Sequence, residues 1–145
     1  MRTYKEYREK LGTLRPNIHL YGKTISRLDP ILETPMNNIK LTFDKAYDPR
    51  YEHLTVTNSH LTGKKINRFC NVNQSAEDLL TKQEMIRRIC QLTTTCVQRC
   101  MGTDMLNAMS VFTKEIDDAK GTEYYQRFLE YLKYFQENDQ VSLRL

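Results

Sequence analysis

The sequence predicts a mainly α-helical bundle with a short N-terminal β-hairpin, and three observations predict it. Apolar residues recur at helical spacing through residues 75–119 and again from Tyr124 to Phe135. Helix-starting residues stand where such segments begin, at Thr3, Thr34-Pro35 and Ser75. Strand-like material is confined to two short, turn-rich stretches, 17–26 and 54–72.

Taken in order, Thr3 and Glu6 form a capping box, and Tyr4, Tyr7, Leu11 and Leu14 continue a helix that Pro16 ends. In NIHLYGKTIS, Ile18, Leu20 and Ile25 flank a Gly22-Lys23 turn, which predicts a hairpin. After Asp29-Pro30, Thr34 is placed to cap a helix with Pro35 at its first position, running to about Tyr47 and stopped by Asp48-Pro49. LTVTNSHLTGKKINRFCNV reads as irregular or hairpin-like. Ser75 and Asp78 open a long helical pattern through Leu79, Leu80, Met85, Ile86, Ile89 and Cys90, with a break expected near Gly102-Thr103 and Thr103 or Asp104 capping the next helix. A last helix follows Gly121-Thr122, and the tail ENDQVSLRL reads as frayed. That last helix carries aromatics on nearly all sides (Tyr124, Tyr125, Phe128, Tyr131, Tyr134, Phe135), which predicts partners on more than one side: an oligomer, or a larger protein of which this is a piece.

Size and composition fit one soluble domain spanning 1–145: 145 residues, 39% hydrophobic and 28% charged. No apolar run approaches the roughly 20 residues needed to span a bilayer, and MRTYKEYREK lacks the apolar stretch of a secretory signal, so a cytoplasmic protein with no membrane contact is expected. The net charge is mild, 22 − 18 = +4. Its basic residues are scattered (Lys64, Lys65 and Arg68; Arg87 and Arg88), which reads as a solvated surface rather than a nucleic-acid face.

The chemistry is concentrated in TTTCVQRCMGTDMLNAMS. Cys96 and Cys100 stand four apart, with Cys70 and Cys90 upstream. Three readings are open: buried packing, a redox pair, or metal ligation. If the helix runs through the pair, the two Cβ atoms lie about 5–6 Å apart on one face, too far for a relaxed disulfide near 3.8 Å but suited to two thiolates on one larger object such as an iron–sulfur cluster. On such a helix Gln98 and Arg99 point to other faces, and the sulfurs fall within about 7 Å of each other. No second cysteine pair completes a zinc site, and the histidines (His19, His53, His60) lie far upstream.

Three stretches together, MRTYKEYREKLGTLRPNIHLYGK, LTGKKINRFCNVNQSAEDLLTKQEMIRRICQLTTTCVQRCMGTDMLNAMS and GTEYYQRFLEYLKYFQENDQ, closely resemble the N-terminal region of the 4-hydroxybutyryl-CoA dehydratases, which are also vinylacetyl-CoA Δ-isomerases. The resemblance runs from residue 1 to about 140 and leaves VSLRL outside it. The dehydratases share with the flavin-dependent 4-hydroxyphenylacetate 3-hydroxylases an acyl-CoA-dehydrogenase-like plan of helical N-terminal domain, middle β domain and C-terminal helical domain. CVQRC favours the dehydratase branch, and the following Gly102-Thr103-Asp104-Met105-Leu106-Asn107 lacks the arginine and tyrosine with which hydroxylases engage a phenol.

The resemblance implies FAD and a [4Fe–4S] cluster in the full-length enzyme, and conversion of 4-hydroxybutyryl-CoA to crotonyl-CoA in anaerobic fermentation. It implies Cys96 and Cys100 as two of the cluster ligands, Gln98 as a residue near the active site, and Cys70 and Cys90 as packing residues. The third cysteine, the cluster histidine, most of the flavin pocket and the acid/base carboxylates belong to the middle and C-terminal domains, which are absent from this sequence. An acyl-CoA substrate, a second copy of the chain and the downstream domains are the implied partners. The isolated chain is expected to be inactive. The alternative is a non-catalytic helical fragment or interaction domain that binds neither flavin nor cluster.

Overall fold

The computed structural model describes residues 1–141, and the last four residues of the VSLRL tail lie outside them. Six helices and two antiparallel strand pairs follow in the order α1 (Tyr4–Gly12), β1 (Ile18–Leu20), β2 (Lys23–Ile25), α2 (Glu33–Asp44), α3 (Glu52–Thr55), β3 (Val56–Asn58), β4 (Lys65–Asn67), α4 (Ala76–Thr93), α5 (Arg99–Lys120) and α6 (Tyr124–Glu137). Single 3₁₀ turns at Pro30–Leu32, Lys45–Tyr47 and Arg68–Cys70 link some of them. The fold is mainly helical, as the periodicity predicts.

Local chemistry explains most boundaries. Thr3 and Glu6 make the expected reciprocal capping box on α1. The first hairpin pairs Ile18 with Ile25 and Leu20 with Lys23. Its turn is Tyr21-Gly22, one residue earlier than the sequence suggested, because both residues take the positive φ (50° and 74°) that a tight two-residue hairpin requires. The cap before α2 also moves. Asp29 accepts the Ile31 N–H at 3.0 Å with Pro30 at the first helical position, so the Asp-Pro pair opens the segment one turn before Thr34-Pro35. The α-helix stops at Asp44, and only a 3₁₀ turn reaches Tyr47. The stretch 54–72 contains a second hairpin, with Val56 opposite Asn67 and Asn58 opposite Lys65.

The long helical pattern breaks earlier than expected. It parts between Thr93 and Arg99, not at Gly102-Thr103. The cause is the threonine run. The Thr93 hydroxyl lies 3.1 Å from the Cys90 carbonyl, and Thr94 enters the left-handed region (φ 56°). Thr103, instead of capping a helix, bonds the Phe69 carbonyl at 2.7 Å from within α5. Gly102 is buried in the same helix.

Three apolar clusters form the core. Tyr4, Tyr7 and Leu11 of α1 pack on Met36, Ile39 and Phe43 of α2. Phe69, Met85, Ile89 and Val97 form a second cluster, with Cys90 and Cys100 against it. Cys70, Val72, Leu106, Phe128, Leu132 and Phe135 form a third between α5 and α6. The turn into α6 is closed by Gly121 in the left-handed conformation and by Asp117, whose carboxylate accepts the N–H groups of Tyr124 and Tyr125, both at 2.8 Å.

The tail is not frayed where it is described. Asp139 is buried, and Val141 packs on the α2 cluster. Among the described residues no helix is long and apolar enough to cross a membrane. The scattered cations are paired locally: Lys65 with Glu52 at 3.0 Å, Arg68 with Asp78 at 3.3 Å, and Arg87 and Arg88 both with Glu84.

Candidate functional site

The cysteine pair sits at the start of α5 and just ahead of it. Val97 is fully buried and Arg99 is 1% exposed, while Cys96 is exposed and Gln98 and Cys100 are half-buried. The backbone therefore alternates: Val97 and Arg99 are pegs driven into the core, Cys96 faces outward, and Gln98 and Cys100 lie at the boundary between core and surface. Thr94 (φ 56°) and Gln98 (φ 63°) supply the left-handed steps that this path needs.

The two sulfurs stand 3.7 Å apart. They come together as the spacing suggested, but not on one helical face: Cys96 lies in the loop and Cys100 in the first turn of α5. The Gln98 N–H donates to the Cys96 sulfur at 3.2 Å, and no side chain caps α5, so the positive end of the helix lies beside the pair. Burial, followed by the contact with Cys96, pushes the Cys100 thiol up to about 11. Gln98, the other candidate, stands between the cysteines with its side chain half-buried.

Arg99 points away from the cysteine pair, as expected, but it turns into the core rather than to the surface. Its guanidinium is buried and lies over the faces of Phe43 and Phe69, 4.7 and 5.5 Å from the ring centres. It is ion-paired with the buried Asp139 and donates to the Thr42 hydroxyl at 3.2 Å, to the Gln140 carbonyl at 3.1 Å and to the Cys70 sulfur at 3.3 Å. Burial by itself would lower the Arg99 pKa; Asp139 and Cys70 reverse that, so the guanidinium is held charged. Burial drives the Cys70 thiol up to about 12. Asp139 also accepts the Arg2 backbone N–H at 3.2 Å, which joins both ends of the described chain to the cysteine motif. The sequence carries no periodic signal for this network. An arginine between two cysteines and an aspartate in a polar tail both read as surface residues.

Cys70 and Cys90 lie in the core clusters, in keeping with their packing role, although Cys70 is also part of the Arg99 network. Among the described residues no group of three or more His, Cys, Asp or Glu side chains converges on a metal-sized site. The donor set is therefore two soft sulfurs, one exposed and one half-buried, at an uncapped helix N-terminus. That chemistry suits one side of an anionic iron–sulfur cluster, which takes about four protein ligands. At 3.7 Å the sulfurs are in mutual contact, so to serve separate irons they must turn apart. Cys96 has the room to do so because it is in the loop.

A second feature lies on the opposite part of α5. Met109, Phe112 and Ile116 form with Tyr124, Phe128 and Tyr131 of α6 an apolar groove of about 410 Å³. Phe112 is 58% exposed and Tyr131 46%.

This order of helices and short hairpins defines a class. The model of the 4-hydroxyphenylacetate 3-hydroxylase N-terminal family matches residues 3–143, and the chain belongs to that family. Within it, the sequence is similar to the 4-hydroxybutyryl-CoA dehydratase/vinylacetyl-CoA-Δ-isomerase of Clostridium aminobutyricum, 42% identical over 141 residues, which are 96% of this chain and 29% of that protein. In structure it is similar to an oxygen-tolerant archaeal 4-hydroxybutyryl-CoA dehydratase from N. maritimus, with a TM-score of 0.89 at 37% identity, over 97% of this chain and 28% of that one. The oxygenase component of 4-hydroxyphenylacetate 3-monooxygenase shares the fold at 18% identity, with a TM-score of 0.74 over 96% of this chain and 29% of its own. The chain thus corresponds to the N-terminal domain of a dehydratase-like protein and spans less than a third of the length of these relatives.

Proposed function

We propose that this chain is the N-terminal helical domain of a 4-hydroxybutyryl-CoA dehydratase-like flavin and [4Fe–4S] enzyme, and that it supplies Cys96 and Cys100 as two of the cluster ligands. The observation that carries the reading is the close pair, Cys96 exposed and Cys100 half-buried with their sulfurs 3.7 Å apart, in a chain 42% identical to a dehydratase. When bound, the cluster would supply a Lewis acid near the leaving hydroxyl of the acyl-CoA substrate. This chain's own contribution is positional. Val97 and Arg99 fix the backbone, the first turn of α5 carries Cys100, and Gln98 stands between the two ligands.

The remaining ligands, the FAD pocket and the acid/base groups would come from a middle β domain and a C-terminal helical domain on an acyl-CoA-dehydrogenase-like plan, with the substrate engaged by the assembled enzyme in the cytoplasm. The apolar groove between α5 and α6 supports contact with those domains or with a second copy of the chain. By itself the chain turns over no acyl-CoA.

Anaerobic reconstitution of the reduced chain with iron and sulfide, under excess small thiol to fill the open iron positions, tests the ligand role. The expected result is broad visible absorption that Cys96→Ala and Cys100→Ala each abolish. A protein that stays colourless, or colour that survives both substitutions, overturns it and leaves the non-catalytic helical domain as the better description.

A further inference from the structure

We propose that Cys96 and Cys100 form a reversible intramolecular disulfide by exchange with small-molecule disulfides, a redox chemistry distinct from metal ligation at the same two sulfurs. The consequence for iron uptake rests on the cluster reading above; the disulfide itself does not.

The argument against a disulfide depends on a continuous helix, in which residues four apart hold their Cβ atoms about 5–6 Å apart. That premise fails here. Helix α4 ends at Thr93, α5 begins at Arg99, and Cys96 lies in the segment between them. Left-handed residues stand on either side of Cys96, Thr94 at φ 56° and Gln98 at φ 63°. The sulfurs already lie 3.7 Å apart, and a disulfide at about 2.05 Å asks them to close by roughly 1.7 Å. Val97 and Arg99, both buried, keep the backbone in place during that closure, so the motion falls to the exposed Cys96 side chain.

The other two thiols are poorly placed to compete. Cys70 is 0% exposed and lies against Arg99 and Asp139, and Cys90, half-buried on the same cluster as Cys100, makes no sulfur–sulfur contact among the described residues, where Cys96 and Cys100 do. Cys96 is exposed to an incoming reagent, and Cys100 waits behind it, half-buried. The step balances as an exchange. The Cys96 thiolate attacks one sulfur of a low-molecular-weight disulfide such as oxidised glutathione, forming a mixed disulfide and releasing one thiolate. The Cys100 thiolate then attacks the Cys96 sulfur, closing the protein disulfide and releasing the second thiolate. Both released thiolates take up the protons lost by the two cysteines. Two protein thiols are oxidised by two electrons, and one small disulfide is reduced to two thiols.

Once bonded to each other, neither sulfur is free to hold iron, and neither can pass to the irreversible sulfinic state. The bond would act as a reversible guard on the pair whenever the metal is absent.

The test uses the full chain, reduced and freed of reductant under anaerobic conditions, then incubated with oxidised glutathione. The thiol count after denaturation is expected to fall from the four cysteines of the sequence to two, 4 − 2, with Cys96 and Cys100 joined in the proteolytic map and no glutathione retained. Cys100→Ser is expected to trap one glutathionyl group on Cys96, and dithiothreitol to restore all four thiols of the wild-type chain. A count that stays at four, a stable glutathione adduct on the wild-type chain, or a bond involving Cys70 or Cys90 overturns the proposal. Iron reconstitution of the reduced and the oxidised samples separates the two readings. A reduced chain that loads iron but never forms the bond defeats only the disulfide. A chain that forms the bond but never loads iron defeats only the cluster assignment.

Discussion

Replacing Asp139 with Asn keeps the shape of the side chain and removes the charge opposite Arg99. The two groups are 1% exposed each and ion-paired, and Asp139 is the one carboxylate in salt-bridge contact with Arg99 among the described residues. Removing one partner of a buried pair strands the other charge, which costs about 3–5 kcal/mol. The lower end applies here, because the Thr42 hydroxyl, the Gln140 carbonyl and the faces of Phe43 and Phe69 still surround the guanidinium. A loss of about 3 kcal/mol is a large part of the 5–15 kcal/mol that holds a typical domain together. For a domain of this size it lowers Tm by about 6–12 °C. Urea unfolding of Asp139→Asn, Arg99→Met and the double variant measures it. The double variant is expected to cost at least about 1 kcal/mol less than the two single losses added, since it strands no charge. An Asp139→Asn loss below about 1 kcal/mol, or strict additivity in the cycle, refutes the view that this pair ties the tail to the cysteine motif.

Four further outcomes follow from the same geometry. Alkylation of the native chain at pH 8 should modify Cys96 first and Cys70 only on unfolding, as peptide mapping over time would record; early labelling of Cys70 contradicts its burial. Raising the pH from about 9 towards 12 should destabilise the fold. An unfolded thiol loses its proton near pH 8.5 whereas Cys70 keeps it to about 12, so the native state binds more protons and stability falls with pH. The slope reaches about 1.4 kcal/mol per unit for this one group, and Cys70→Ala should flatten it in denaturant titrations at stepped pH. Leu106→Ala, at a fully buried site packed between α5 and α6, should cost about 2–5 kcal/mol in urea unfolding. Phe112→Ser, on the exposed rim of the apolar groove, should change stability in urea unfolding by no more than about 0.5 kcal/mol, and a large stability loss would place that ring in the core instead.

Much of the architecture is legible because it is local. The α1 capping box, the tight first hairpin and the aromatic face of α6 each depend on residues a few positions apart, and hydrogen bonding or side-chain period decides them wherever they are placed. The hairpin turn and the α2 cap are displaced by one residue and one turn, because a neighbouring residue offers the same chemistry slightly earlier. The helix break is a different case. Gly102 is a weaker helix former than threonine, but Gly102 is buried within α5, while Thr93 turns its hydroxyl back on the Cys90 carbonyl and Thr94 after it enters the left-handed region.

By itself the sequence determined the helical class, the two short hairpin regions, and the presence of two cysteines close enough to act together, since each follows from spacing along the chain. The tertiary structure decided which way those cysteines face and what holds them there. Val97 and Arg99 are pegs only because Phe43, Phe69 and Asp139, from distant parts of the chain, meet at one point to receive them. Such a meeting leaves no period in the sequence. A buried ion pair between residues forty positions apart is a property of the packed core, where low polarity and surrounding hydrogen bonds give the charges their only stable arrangement.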